Sequence, residues 1–450
     1  MDVPYKARAR ELECGFLTFF AMRVGIVAVY GVHGHVPSLD ATLADVRAAG
    51  EDAAVGLPCL RTLEHARHLP TLQANCSIDM NPKLTVPDAR DGLRPVERRL
   101  FRVMHTMNGA GDRPFRRSSS IVGEVRQRFP GQGWRSAYDA LVRMAQGFML
   151  RYPLADGEGN FGSIDGDPAA APSYTNARLT DFGAAMLSDG RSVSDARDVA
   201  GEADALPSRV PNLLVNGAST TSTSIPPHNL HEVVSALTHL IDHPNMTGAA
   251  VRDYIKGPDF PTGGCIRGVD GIRNYQETGR GQIIMRARAE IETLEVTRIV
   301  LTEVPFHMDA SWLISTLADA VRDGRIHGVS DLRNESDRDG LRITITPKPG
   351  VDAQELLDAL YERTPMQSAL PVALVALVPD AQTGQLVPRT LSLLELLKQY
   401  LAYRDECIAR DISAGAEVSS KAERMEVLKA QLVHVAAAFG DRRRTEILEA

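Results

Sequence analysis

The stretch Trp134–Leu179, WRSAYDALVRMAQGFMLRYPLADGEGNFGSIDGDPAAAPSYTNARL, decides how this chain folds. Its first part places apolar residues at alternating spacings of four and three, which predicts an amphipathic helix with those residues in the core. They are Trp134, Tyr138, Leu141, Ala145 and Phe148. Three glycines within seven residues follow, from Asp156 to Gly162, and a short polar segment then contains Tyr174. The stretch therefore predicts a helix, a glycine-rich segment and one tyrosine in a polar loop.

A second amphipathic helix is predicted upstream, within Val86–Asn108, VPDARDGLRPVERRLFRVMHTMN. Pro95 suits a first helical turn, and apolar residues then recur at spacings of four, three and four. The opposite face carries a stripe of arginines: Arg94, Arg98 and Arg102, with Arg99 beside them. Such a stripe can contact phosphates, and a solvated charged face fits the spacing equally well. Two helices of this kind before a glycine-rich segment suit a helix-turn-helix or winged-helix module.

Composition sets broad limits on the class of protein. The chain has 450 residues, 44% of them hydrophobic, which is enough to build several buried cores. Its net charge is -7, so a nucleic-acid surface has to be a local patch. The five cysteines are far apart and form no C-x-x-C pair, which argues against a disulfide framework and a zinc site and favours a reducing cytoplasm.

Three further segments differ in the structure that their sequence predicts. Residues 1–78 contain no motif; the apolar stretch Phe16–Val32 is interrupted by Arg23 and predicts buried structure, and His33 and His35 fit a surface loop better than a metal pair. Residues 196–390 alternate β-branched runs with helical runs, which predicts an α+β domain. From Leu391 the pattern is helical, and it fits one arm of a coiled coil and an ordinary packed helix equally well.

Eight motifs follow one another between Pro87 and Leu432: DGLRPVERRL, YDALVRMAQGFMLRYPLADGEGNFGSIDGD, YTNARL, PNLLVNGAS, IPPHNL, FPTGG, GRGQIIMRARAEIE and VSDLRNESDRDG. In this order they resemble the A-type polypeptide of bacterial type IIA DNA topoisomerases, gyrase and topoisomerase IV. The resemblance implies an α+β fold in which a winged-helix breakage-reunion domain at 79–195 is followed by a tower domain at 196–390. A long coiled-coil arm would begin at 391–450, and a divergent segment would occupy 1–78.

The resemblance also implies the chemistry. Tyr174 stands where the family's tyrosine attacks a DNA phosphodiester and becomes joined to the 5′ phosphate, and Arg90, Arg94, Arg98 and Arg99 stand where the family faces DNA. A phenol, with an ordinary pKa of about 10, needs help to react at neutral pH. In the family that help comes from Mg²⁺ held by a B-type partner subunit, which also hydrolyses ATP; this chain has no G-x-x-x-x-G-K loop of its own. Double-stranded DNA, a second copy of the chain and the B-type subunit are the implied partners.

Four positions depart from the family pattern. Ser173 stands where the family has a basic residue before the tyrosine, and Pro130–Trp134 replaces a motif with two histidines. Thr220–Ser224 is four residues shorter than the family segment whose isoleucine wedges between base pairs, and Glu97 replaces a histidine. Loss of one group that stabilises transition-state charge typically lowers the rate about a hundred- to a thousandfold. Reduced or absent activity is therefore expected.

Two classes of function follow from these motifs. The first is an ATP-dependent type II DNA topoisomerase subunit that cleaves and rejoins duplex DNA. The second is a relative that binds DNA or a subunit without cleavage, or the product of a decaying gene that keeps the fold. The arm is expected to be truncated before the family's exit gate and returning helix. The dimer contact that the family makes at that gate is therefore not expected.

Overall fold

The computed structural model describes residues 82–108, 113–187, 205–293, 296–337, 340–380, 382–413 and 420–448. The predictions for 1–78, including Phe16–Val32, His33 and His35, lie outside the described residues. The helices are α1 Pro82–Thr85, α2 Pro95–Asn108, α3 Ser118–Arg128, α4 Trp134–Ala145, α5 Asp181–Ala185, α6 Asn212–Asn216, α7 Leu230–Asp242, α8 Gly248–Tyr254, α9 Asp270–Thr278, α10 Ala310–Arg322, α11 Ala353–Arg363, α12 Leu393–Ser413 and α13 Lys421–Phe439.

The strands are short and spread along the whole described chain. They are β1 Arg116–Arg117, β2 Ala155–Glu158, β3 Asn176–Leu179, β4 Ala218–Ser219, β5 Ser224–Ile225, β6 Cys265–Arg267, β7 Arg280–Arg286, β8 Arg288–Thr293, β9 Thr297–Glu303, β10 Val329–Asn334, β11 Ile343–Pro347, β12 Gln367–Ala373, β13 Val375–Pro379, β14 Leu386–Thr390 and β15 Glu446–Leu448. Within the described ranges they form sheets with the orders β1-β3-β2, β10-β11-β9-β8, β15-β6-β7-β12-β5-β4 and β13-β14. The predicted α+β class is confirmed.

The helices α2 and α4 form where their apolar spacing predicts them. Helix α2 begins at Pro95, whose missing N–H costs nothing in a first turn, and its Leu100 and Val103 are fully buried. Helix α4 buries Tyr138 and Leu141, as predicted. Trp134 corrects the prediction, because its side chain is 53% exposed. It is the first residue of the helix, where no preceding turn packs over the indole.

Two hydrophobic cores organise the described chain. The larger core joins α2, α3 and α4 to α7, β7, α12 and α13. The smaller core lies between Ala287 and Met366, where α10 and α11 pack with the sheet β10-β11-β9-β8. The smaller core includes only the middle of 196–390, and buried residues from the rest of that range belong to the larger core. The predicted domain boundaries at 195/196 and 390/391 therefore stay predictions.

The C-terminal segment corrects the expectation of a single outgoing arm. Helices α12 and α13 contact each other through Arg424–Asp405 and Arg404–Gln431, so the chain turns back on itself. Leu428 and Leu432 of α13 are buried in the larger core, which fits the packed-helix alternative. Strand β15 then pairs in parallel with β6. Among the described residues no helix combines the length and apolar character needed to cross a membrane.

Candidate active site

Tyr174 lies in a tight turn immediately before β3 and projects from it. Its backbone N–H donates to the Ala171 carbonyl at 2.9 Å, and the Ser119 N–H donates to the Pro172 carbonyl at 3.0 Å. The start of α3 therefore holds the same turn from the other side. The Tyr174 side chain is 81% exposed, the most exposed of the large apolar and aromatic residues in the described chain. A fixed backbone thus presents a phenol to solvent.

The residue after the tyrosine anchors the turn. Thr175 is 1% exposed, and its hydroxyl donates to Ser118 Oγ at 2.9 Å. The Tyr138 hydroxyl lies 3.1 Å from Thr175 Oγ1 and donates to the Ala170 carbonyl. Helices α3 and α4 are therefore both tied to the turn by side-chain hydrogen bonds, which is a structural reason for a threonine beside the exposed tyrosine.

The glycine-rich segment lies directly against the tyrosine. Gly159 has φ +103°, and a Cβ on it would lie 2.9 Å from the Tyr174 carbonyl oxygen and 3.5 Å from Thr175 Cα. Neither the backbone angle nor the contact tolerates a side chain at this position. The glycine thus lets the loop after β2 approach the backbone of Tyr174. This contact is a structural reason for a glycine-rich segment close in sequence to the tyrosine.

The predicted DNA-binding arginines are all engaged within the chain. Arg98 is the clearest correction to the idea of an exposed stripe: its side chain is 6% exposed, with Nε 2.6 Å from Asp91 Oδ2 and Nη2 3.0 Å from Asp88 Oδ2. Arg90 also pairs with Asp88, Nη2 to Oδ2 at 2.8 Å. The buried carboxylates attract both cations inward, so Arg98 belongs to the interior.

Arg94 and Arg99 lie closer to the surface than Arg98. The Nε of Arg94 donates to Glu97 Oε1 at 3.0 Å. Burial opposes ionisation of the Glu97 carboxyl, but the Arg94 guanidinium outweighs it and holds the pKa of Glu97 below its ordinary value. Arg99 donates to Gln132 Oε1 at 2.6 Å and lies over the Phe129 ring. The DNA-binding role of these arginines stays a prediction.

The divergent positions have local structural roles. Glu97 neutralises Arg94, and Gln132, within the segment that replaces the two histidines, accepts a hydrogen bond from Arg99. The shortened segment Thr220–Ser224 closes a hairpin between β4 and β5, with the Thr220 N–H donating to the Thr223 carbonyl at 2.9 Å. No apolar side chain stands in this turn to act as a wedge between base pairs. Ser173 is exposed beside the tyrosine.

Sequence reasoning missed the residues that hold Tyr174. Ser118, Tyr138 and Gly159 come from three separate segments, and only the folded chain brings them to the turn. Tyr138 was expected only as a core residue, because its helical spacing gives no sign that its hydroxyl bonds to Thr175. The run of small polar residues at Ser118–Ser120, directly after two arginines, was the available signal for a helix start facing this turn.

Comparison with known proteins identifies the family of this chain. Residues 85–440 match the family of DNA gyrase and topoisomerase IV A subunits, and the chain belongs to that family. Over 376 residues it is 42% identical to the DNA gyrase A subunit of Clostridium acetobutylicum, an alignment that covers 80% of this chain and 45% of the relative. It is 40% identical to that of Pseudomonas aeruginosa over 361 residues, covering 77% and 38%. The Helicobacter pylori protein is 42% identical over 335 residues, covering 72% and 40%.

The chain spans less than half the length of these curated relatives. The residues that match the family, 85–440, contain α2, α4 and the turn of Tyr174.

Proposed function

We propose that this chain is a DNA-cleaving and DNA-resealing subunit of the A type in an ATP-dependent type II DNA topoisomerase. The observation that carries the proposal is the turn of Tyr174, in which a buried threonine and a glycine contact fix the backbone while the phenol stays 81% exposed. A nucleophile that has to reach a phosphodiester in a duplex needs both properties. Similarity to DNA gyrase A subunits over about three quarters of the chain supports this function over a decayed gene product.

The proposed step is a transesterification at one phosphorus of each strand. The Tyr174 phenol oxygen forms a bond to phosphorus, the bond from phosphorus to the 3′ oxygen breaks, and the phenol loses a proton while the 3′ oxygen gains one. The product is a 5′ phosphotyrosine ester with a 3′ hydroxyl. Since one ester replaces another, the reverse attack reseals the strand without an external energy source.

Helices α2–α4 with the small sheet β1-β3-β2 are proposed to form a winged-helix module that binds duplex DNA next to Tyr174. Arg90, Arg94 and Arg99, which retain some solvent access, would contact phosphates. Arg98 would stabilise the segment beneath this surface, because it forms ion pairs with Asp88 and Asp91 in the interior. Residues 196–390 would form the tower domain, and α12 with α13 a short antiparallel arm.

A B-type subunit is the proposed partner, with a second copy of this chain to cleave the opposite strand. The partner would hold Mg²⁺ and would also bind ATP. When bound there, Mg²⁺ would polarise the phosphodiester and the attacking phenol. The reaction would take place in the cytoplasm.

A covalent trap tests the proposal. The chain is mixed with the gyrase B subunit of Clostridium acetobutylicum, Mg²⁺ and end-labelled duplex DNA, and is then denatured with detergent. We expect protein joined to the 5′ end of the DNA, at a rate lowered by the departures at Ser173 and Pro130–Trp134, and no adduct from Tyr174→Phe. Both proteins should bind duplex with similar affinity, since the phenol hydroxyl is small and exposed. Retained binding without any adduct from the unchanged chain would instead identify a DNA-binding relative that does not cleave.

A further inference from the structure

Arg117 lies diagonally across from the tyrosine. It forms β1 with Arg116, and its Cα is paired with that of Asn176 in β3. The Ser118 N–H donates to the Thr175 carbonyl at 2.9 Å, so the alignment of the two chains continues one residue towards Tyr174. Tyr174 is two residues before Asn176, and diagonal neighbours in antiparallel pairs are about 7–8 Å apart, within reach of long side chains. Because side chains alternate along extended chain, Arg117 shares one face of the sheet with Asn176, two residues after the turn that presents Tyr174.

Arg117 differs from its neighbours in having an unengaged guanidinium. Arg116 donates to the Met107 carbonyl at 3.3 Å, and Arg178 pairs with Asp156 at 2.8 Å. Both residues of β1 are exposed, yet in the part of the chain that the structure describes no acid, acceptor or aromatic ring engages Arg117. An arginine without a partner keeps its full charge for a ligand, and its planar fork suits the two non-bridging oxygens of a phosphate.

We propose that Arg117 is a catalytic residue that contacts the scissile phosphate and supplies the positive charge that Ser173 does not. This rests on the proposed function. During attack by the Tyr174 phenol oxygen, negative charge accumulates on the phosphate as the bond to the 3′ oxygen breaks. A guanidinium within reach of the phosphate at the phenol stabilises that charge in cleavage and, by the reverse path, in resealing. Arg117 of the neighbouring strand β1 thus supplies the positive charge that Ser173, immediately before the tyrosine, does not supply.

The test compares single-turnover adduct formation with duplex affinity for a small set of variants of the full chain. The gyrase B subunit of Clostridium acetobutylicum, Mg²⁺ and saturating end-labelled duplex are used throughout. Arg117→Ala should lower the rate of adduct formation about a hundred- to a thousandfold and the affinity for duplex by much less, because its contact is strongest in the transition state. Arg117→Lys should recover part of the rate. Arg126→Ala is the matched control, since Arg126 is an equally exposed arginine near the other end of α3.

A second-site variant separates charge from structure. In the Arg117→Ala chain, Ser173→Arg places a guanidinium on the tyrosine's own turn and should restore adduct formation at least tenfold if charge at the phosphate is what was lost. The proposal is overturned if Arg117→Ala forms the adduct as fast as the unchanged chain, or if it is slow and neither Arg117→Lys nor Ser173→Arg raises the rate. An unchanged chain that binds duplex and forms no adduct dependent on Tyr174 would overturn the proposed function as well, and so the two failures are distinguishable.

Discussion

At the residue scale, Arg98 is a stabilising cation rather than an exposed DNA contact. It is the shared partner of two fully buried carboxylates, Asp88 and Asp91, at 3.0 Å and 2.6 Å. We expect Arg98→Ala to lower the free energy of unfolding by about 3–5 kcal/mol, because it leaves buried acids without their counter-ion. Urea denaturation at neutral pH measures the loss. Arg126→Ala removes an exposed arginine and should change the free energy by less than about 0.5 kcal/mol.

The same variant separates folding from DNA binding. If Arg98 contacts no phosphate, the folded fraction of Arg98→Ala binds duplex with an unchanged dependence on salt, whereas loss of one phosphate contact lowers the slope of log affinity against log salt by about one. A chain of normal stability with a flatter salt dependence would contradict the buried position of Arg98. Helical spacing placed this arginine on the polar face correctly, but it could not reveal that Asp88 and Asp91 fold back over that face.

At the scale of elements, the sequence predicts best what depends on neighbouring residues. Helix α2 starts at Pro95 as expected, and β11 and α11 form within 196–390, where β-branched and helical runs alternate. The α11 start is fixed locally as well, because the Asp352 side chain accepts from the Gln354 and Glu355 N–H groups. The spacing of apolar residues predicts that Trp134 is buried, but it cannot show that no other element packs against the first helical turn. For the site, motif resemblance indicated Tyr174, but its supports come from distant segments.

Strand β15 shows most clearly what local patterns miss. Its partner β6 lies about 180 residues earlier, and the pairing of Glu446 with Cys265 leaves no periodic signal in either segment. Buried polar groups hold the return of the chain in place: Asp259 Oδ1 accepts from the Arg444 and Thr445 N–H groups at 2.7 Å and 3.0 Å. Its Oδ2 accepts from Arg151 Nε at 3.0 Å. One fully buried carboxylate therefore fixes both the end of the chain and the loop after α4.

We expect Asp259→Ala to detach β15 from the sheet. The substitution leaves two backbone N–H groups and one face of a buried guanidinium unsatisfied, at a cost of about 3–5 kcal/mol. Hydrogen exchange at residues 441–448 should lose its protection, while that of α2 and α4 changes less. Asp242→Ala is the control, because its pair with Lys429 joins α7 to α13 at the exposed surface, where solvent screens the two charges and little stability depends on them. Equal protection of 441–448 in both variants would refute the role assigned to Asp259.

At the scale of the whole molecule, a chain with net charge -7 offers DNA only a local positive surface. Most arginines near the candidate site are already paired with acids of the same chain, as Arg90, Arg94 and Arg98 are. Among the described residues, Arg117 is exposed and unengaged, and it can therefore respond to a phosphate at Tyr174. Arg98 therefore serves stability, whereas the unengaged Arg117 is available for the reaction.

The larger core also contains a histidine that has to stay neutral. His228 is fully buried; its Nδ1–H donates to the Leu214 carbonyl at 2.8 Å, and Nε2 accepts from the Tyr275 hydroxyl at 3.0 Å. Burial, together with the positive charge of Arg443, lowers the pKa of His228 to about 4. An unfolded histidine has a pKa of about 6.5, so between these values the unfolded chain binds the proton and the folded chain does not.

Global stability is therefore expected to fall on acidification. The contribution of His228 is complete above about pH 6.5, decreases as the pH falls towards 4 and levels off below that, with a total on the order of 3 kcal/mol. Urea denaturation at pH 7, 6, 5 and 4 measures this loss. His228→Gln should be less stable at pH 7, because it disturbs both hydrogen bonds, but its stability should change less between pH 6.5 and 4. His434→Gln, at an exposed position of α13, should keep the slope of the unchanged chain. Parallel curves for His228→Gln and the unchanged chain would mean that other groups control the acid sensitivity of the fold.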